Sequence, residues 1–180
     1  MCFMRLVRCR MAVTILAIAG MPLLTNCSGG PSKSLSHDPR TVYLDPASGS
    51  GSRQSFTALY RHPDGSNRIS TARLLINQTV DGRNACYVYY DRASASWLLV
   101  NDSGEGVSRA ALGSPAHLSN SQCELDGGAS SASESRNDLS VRFSLMFKPA
   151  FAGKMNVYLY ADDSAARSNG FHQLGTWTNP

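Results

Sequence analysis

Residues Asp138–Lys148 read "DLSVRFSLMFK", and the fold class follows from how those letters alternate. Leu139, Val141, Phe143, Leu145 and Phe147 share one parity, while Ser140, Arg142, Ser144, Met146 and Lys148 take the other. Successive side chains of an extended strand point to opposite faces, so this pattern buries one face and leaves the other polar. A helical stripe repeats every 3.6 residues and cannot carry five apolar residues at strict period two.

Runs of the same kind lie on either side. Thr41–Leu44 "TVYL", Gln54–Tyr60 "QSFTALY", Ile69–Asn77 "ISTARLLIN", Cys86–Asp91 "CYVYYD" and Ser96–Asn101 "SWLLVN" precede it. Lys154–Asp162 "KMNVYLYAD" and Phe171–Thr178 "FHQLGTWT" follow it. Between them stand "DPASGSGSR", "HPDG" (His62–Gly65), "DGRN" (Asp81–Asn84) and "DSGEG" (Asp102–Gly106), whose Gly, Pro, Asn and Asp residues favour turns. Gly127–Arg136, "GGASSASESR", reads as a long exposed loop because it has no apolar alternation. No stretch after residue 27 shows helical amphipathicity. About seven to nine strands separated by frequent turns make an all-β chain, an antiparallel sandwich of two sheets. A chain of 180 residues is long enough for one such core.

The first residues are of another kind. "MCFMRLVRCR" is short and basic, and "MAVTILAIAGMPLL" is an apolar run. A positive segment followed by 7–15 apolar residues is the layout of a secretory signal peptide, and the run is too short to span a bilayer comfortably. It also accounts for the charge. The whole chain carries 17 Lys and Arg against 13 Asp and Glu, a net of +4. Arg5, Arg8 and Arg10 supply three of those charges and no acidic residue precedes Cys27, so the remainder is close to neutral. A nucleic-acid partner requires a clustered basic face, and the other Lys and Arg residues are scattered.

"LLTNC" (Leu23–Cys27), at the end of the apolar run, resembles the lipobox of bacterial lipoproteins. Leu24 stands three before the cysteine, and Asn26 occupies the place where the family usually has Gly, Ala or Ser. The competing small-residue cleavage site Ala17-Ile18-Ala19 leaves an apolar core of only about six residues, below the usual range. The resemblance implies that Cys27 carries the lipid anchor to the membrane, and Ser28 after it implies the outer membrane. Three segments follow: 1–26 a lipoprotein signal peptide, 27–40 a flexible tether rich in Ser, Gly and Pro, and 41–180 the sandwich domain. Cys2 and Cys9 leave with the signal and Cys27 is lipidated, so Cys86 and Cys123 remain for one disulfide, as expected of an exported chain.

Within residues 41–178, the combination of "GSGSRQSFTALYRHPDG", "NACYVYYDR", "LVNDSG", "LSNSQC", "FKPAFAG", "NVYLYADD" and "GFHQLGTW" is similar to an immunoglobulin-like β-sandwich repeat of bacterial secreted and surface proteins. That resemblance implies an Ig-like fold and a surface role, and Cys86 and Cys123 match its paired cysteines.

Motifs for chemistry are absent. The sequence holds no Gly-x-Ser-x-Gly elbow, no His-Glu-x-x-His and no phosphate-binding Gly-rich loop. His37, His62, His117 and His172 are far apart and read as solvated or hydrogen-bonded. Asp162–Asp163 and the pair Asp102 and Glu105 are the acidic clusters. Neither has the alternating spacing of a calcium loop, so both read as solvated turn carboxylates. A carboxylate pair of glycosidase type needs only spatial proximity, and nothing in the sequence favours one. The expectation is a non-enzyme without cofactor or metal, anchored by lipid at the envelope for adhesion, assembly or protein interaction; a carbohydrate-binding module is the alternative, and a hydrolytic enzyme with dispersed catalytic residues comes third. For the glycan alternative the candidates are Tyr87 and Tyr89, opposite in parity to Cys86, Val88 and Tyr90, with Tyr158 and Tyr160, opposite to Val157 and Leu159. Four outward tyrosines on two strands would offer rings for stacking or for a protein contact. Trp97 and Trp177 read as core or edge-sealing residues.

Overall fold

A computed structural model describes residues 36–180; the signal-peptide and Cys27 expectations, and most of the 27–40 tether, lie outside the described residues. The described chain is a β-sandwich. Its strands are β1 (Arg40–Asp45), β2 (Ser48–Ser50), β3 (Arg53–Arg61), β4 (Ile69–Asn77), β5 (Cys86–Asp91), β6 (Ser96–Val100), β7 (Val107–Ala111), β8 (His117–Ser119), β9 (Cys123–Asp126), β10 (Ser131–Ser135), β11 (Asp138–Phe147), β12 (Gly153–Asp163) and β13 (His172–Asn179). Two single 3₁₀ turns, Ser66–Arg68 and Pro149–Phe151, complete the regular structure among the described residues. One sheet runs β1-β3-β11-β9-β8, with β10 also on β11; the other runs β2-β13-β12-β4-β5-β6-β7. All pairs are antiparallel except β2 with β13, which is parallel.

The alternation in β11 is realised as expected: all five of its odd-parity apolar residues are buried in the main core. Opposite them stand Leu74 and Ile76 from β4, Val88 from β5, Trp97 and Leu99 from β6, and Val157 and Leu159 from β12. Burial of two such faces against each other is the main source of stability in a sandwich. Trp97 sits edge-on to Phe143, with ring centres 5.9 Å apart, so it bridges the two sheets as a core residue. Trp177 is buried too, and its indole N–H donates to the Gly51 carbonyl at 2.8 Å. Cys86 on β5 and Cys123 on β9 are bonded, with Cα atoms 5.5 Å apart, and link one sheet to the other. This is the expected pair.

Strands with little apolar content escaped the sequence reading. The exposed loop expected over Gly127–Arg136 is corrected: Ser131–Ser135 is β10, in register with Arg142–Asp138 of β11. Backbone hydrogen bonds hold it there, and they leave no hydrophobic signature. β9 and β10 occupy the same edge of β11, separated by a short turn over residues 127–130. Buried Ser130 closes that turn: its hydroxyl donates to the Asp126 carbonyl at 2.6 Å and accepts from the Ser144 N–H at 3.0 Å.

The parallel contact between β2 and β13 depends on glycine. A Cβ on Gly175 would lie 2.3 Å from the carbonyl oxygen of Ala47, the same oxygen that accepts from the Thr176 N–H at 2.9 Å. Backbone cannot retreat there without losing that bond. Gly175→Ala should therefore destabilise the domain by about 1–3 kcal/mol, the usual cost of overpacking. Ser48→Ala, on the exposed face of the same pair, should change urea stability by less than about 0.5 kcal/mol. Equal midpoints for the two variants would contradict the close approach.

Candidate functional site

The outer face of the seven-stranded sheet gathers the four candidate tyrosines. Alternation sends Cys86, Val88 and Tyr90 of β5 inward and Tyr87 and Tyr89 outward; β12 does the same with Tyr158 and Tyr160. Register sets them in two rows across β4. Tyr158 is opposite Leu75, which is opposite Tyr87; Tyr160 is opposite Arg73, which is opposite Tyr89. The tyrosines therefore share one face.

Their rings, however, are engaged by the chain itself. Tyr158 is only 9% exposed and packs with Leu75 and Ala85 in a second, smaller apolar cluster. Its hydroxyl donates to the Gln78 carbonyl at 3.3 Å and accepts from the Asn156 amide at 3.0 Å. Tyr87, Tyr89 and Tyr160 are half-buried. The Arg73 guanidinium lies over Tyr89 and Tyr160, 5.1 and 4.9 Å from their ring centres. Phe171, in the segment leading into β13, packs 4.9 Å from Tyr160 and 6.1 Å from Tyr87. Cation–π contacts of this kind are worth about 0.5–2 kcal/mol each, depending on desolvation.

Every arm of Arg73 also has a hydrogen-bond acceptor. Nε donates to Thr71 Oγ1 at 2.9 Å, one terminal nitrogen to the Tyr87 hydroxyl at 3.1 Å, and the other to Asp162 Oδ2 at 2.7 Å. Burial works against the charge on Arg73, but the Tyr87 hydrogen bond and the nearby Asp162 carboxylate more than offset it and raise the pKa. Burial likewise pushes the Tyr89 phenol up. The face is a cation–aromatic stack closed by Phe171. Sequence reading found its tyrosines and missed Arg73 and Phe171. Arg73 was legible in principle, since it has the parity of Leu75 on β4 and so belongs to the outer face.

The acidic pair Asp162–Asp163 divides between two environments, because adjacent strand residues point to opposite faces. Asp162 joins Arg73 outside. Asp163 is 3% exposed, so its reading as a solvated turn carboxylate is corrected. Its Oδ1 accepts from the N–H groups of Ala165 and Arg167, both at 2.9 Å. Its Oδ2 accepts from Arg167 Nε at 2.7 Å and lies 3.3 Å from Nε2 of His62. Burial opposes ionisation of this carboxyl, but donation from Arg167, His62 and Ala165 prevails and holds its pKa far below the usual carboxylate range.

His62 is 0% exposed, and its Nδ1 accepts from the Asp64 N–H at 3.1 Å, which assigns the proton to Nε2 facing Asp163. Both ring nitrogens are thus committed to holding the "HPDG" turn against the end of β12. Close by, His37 pairs with Asp64 at 2.8 Å and Pro39 is buried, so residues 36–39 run along the domain before β1 begins.

The remaining candidates are dispersed. Asp102 accepts from the N–H and hydroxyl of Ser121, which keep its pKa low. His117 pairs with Glu124 at 2.9 Å, and His172 reaches the Asn169 carbonyl at 3.0 Å. Among the described residues no three His, Cys, Asp or Glu side chains are placed to hold a metal ion. Comparison of the chain with family models, curated proteins and solved structures finds no match.

Proposed function

We propose that this chain is an exported, lipid-anchored protein of the bacterial cell envelope that presents its sandwich for protein interaction or assembly and carries out no catalysis. The observation that carries this reading is the buried Cys86–Cys123 bridge joining the two sheets. Disulfides of that kind persist in oxidising compartments, which agrees with the basic, apolar, cysteine-terminated layout of residues 1–27. Exposed apolar side chains favour a protein partner: Val42 and Tyr43 on β1 and Val107 on β7 lie on edge strands of the two sheets. A second chain can add a strand at such edges. The glycan alternative draws no support from the outer tyrosines, whose rings are taken up by Arg73 and Phe171.

Cys27→Ser is the direct test. The native chain should fractionate with membranes and incorporate labelled fatty acid, whereas the variant should do neither, since a single unlipidated tether gives no stable membrane affinity. Membrane partition and labelling that persist in the variant would sink the anchor.

A further inference from the structure

The six-stranded sheet has an outer face that none of the foregoing uses. There a groove of about 280 Å³ is lined by Arg53 and Ser55 of β3, Ser144 and Met146 of β11, Glu124 and Asp126 of β9, and His117 of β8. Register explains why they meet. Arg53 is opposite Met146 and Met146 is opposite Glu124; one rung away Ser55 faces Ser144, and Asp126 faces His117. All have outward parity, because their neighbours Phe56, Leu145, Leu125 and Leu118 are in the core. Arg53 and Glu124 stand two strands apart, so their backbones are about 10 Å from each other, with Met146 as the floor between.

The groove has opposite charges on its two walls. The Arg53 side chain makes no hydrogen bond or ion pair among the described residues. Across the floor, Glu124 is oriented by His117 at 2.9 Å. Asp126, which lines the groove, accepts the N–H groups of Gly128 and Ala129 on Oδ1, both at 3.0 Å, and its Oδ2 makes no hydrogen bond among the described residues. An anion would meet two carboxylates here, and a metal ion would meet a guanidinium. An apolar ligand would find little beyond Met146 for contact, since Leu145, the other apolar residue of the lining, is 3% exposed. A molecule bearing both charges a few ångströms apart satisfies both walls at once, through charge-assisted hydrogen bonds. The volume is just below the roughly 300 Å³ at which small-molecule sites begin, which restricts the occupant to amino-acid or dipeptide size.

We infer that this groove binds a small zwitterion, a free amino acid or dipeptide, with its carboxylate on Arg53 and its ammonium on Glu124 and Asp126. The site is independent of the anchor, since it lies wholly within the folded domain. Its test uses the full chain in detergent, with glycylglycine as the probe, followed by ¹H–¹⁵N shifts. Binding with Kd on the order of 1 mM, a free energy near −4 kcal/mol, should move the amides of Arg53, Glu124, Ser144 and Met146. N-acetylglycylglycine and glycylglycinamide, each lacking one charge, should bind at least about tenfold more weakly. Arg53→Gln and Asp126→Asn should do the same while leaving the dispersion of the spectrum intact, because both side chains lie outside the core and Asn keeps the turn-capping oxygen. Equal binding of the blocked probes, shifts confined to another face, or no shift with glycylglycine would each overturn the inference.

Discussion

Replacing both Cys86 and Cys123 by alanine should lower the unfolding free energy by about 4 kcal/mol, the loop-entropy value for a separation of 37 residues. A domain of this size has about 5–15 kcal/mol in total, so the loss is a large share of it. The bond closes the chain between β5 and β9, which pair with different sheets, so no ladder of hydrogen bonds duplicates its constraint. Both sulfurs are fully buried, and their removal also leaves a small void. At about 2–4 °C per kcal/mol, the melting temperature should fall by roughly 8–16 °C. Reductant should leave the folded protein oxidised and act only once the sandwich opens, because a thiol must reach a sulfur that is 0% exposed. A double variant within about 1 kcal/mol of the native chain would show that packing alone holds the sheets together.

Asp163→Ala should cost about 3 kcal/mol, the upper end of the cost of leaving a buried donor unsatisfied, because the Nε2 proton of fully buried His62 loses its acceptor. It also leaves the N–H groups of Ala165 and Arg167 without that acceptor, and it frees the Arg167 side chain, which is itself 42% exposed. Asp163→Asn is the more informative change, because it keeps the shape and removes the charge. The folded pKa of Asp163 is depressed, so its contribution is fully present above the unfolded carboxylate value of about 3.9 and fades as pH falls toward the folded value. The gap in urea stability between native protein and Asp163→Asn should therefore be constant from about pH 7 to 5 and shrink below about pH 4. A gap that grows on acidification would mean the carboxyl is neutral in the folded state.

How much of this was legible in the sequence depended on the kind of interaction. β11 could be read because its five core residues share one parity within a single strand. The sides taken by Tyr87, Tyr89, Tyr158 and Tyr160 were legible for the same reason. Their accessibility was not, since it depends on Arg73 and Phe171, almost a hundred residues apart in the chain and brought together by the order β13-β12-β4. β10 was invisible because Ser131–Ser135 is held by main-chain hydrogen bonds and by Glu134, which receives donors from Ser66 and Arg92. Asp163 looked like half of a turn cluster, and nothing local marks it as the partner of His62, 101 positions earlier.

The order of neighbours along the chain is enough for the all-β class, for the inward and outward faces of the long strands, and for the pairing of Cys86 with Cys123 once the N-terminal segment is set apart. Each of these rests on period two or on counting, which are properties of neighbours along the chain. Tertiary structure alone decided the buried clasp of Asp163 with His62, the closing of the tyrosine face by Arg73 and Phe171, and the oppositely charged walls over Met146. Those depend on the register between strands that sequence separation does not encode, because hydrogen bonding between backbones carries no side-chain signature.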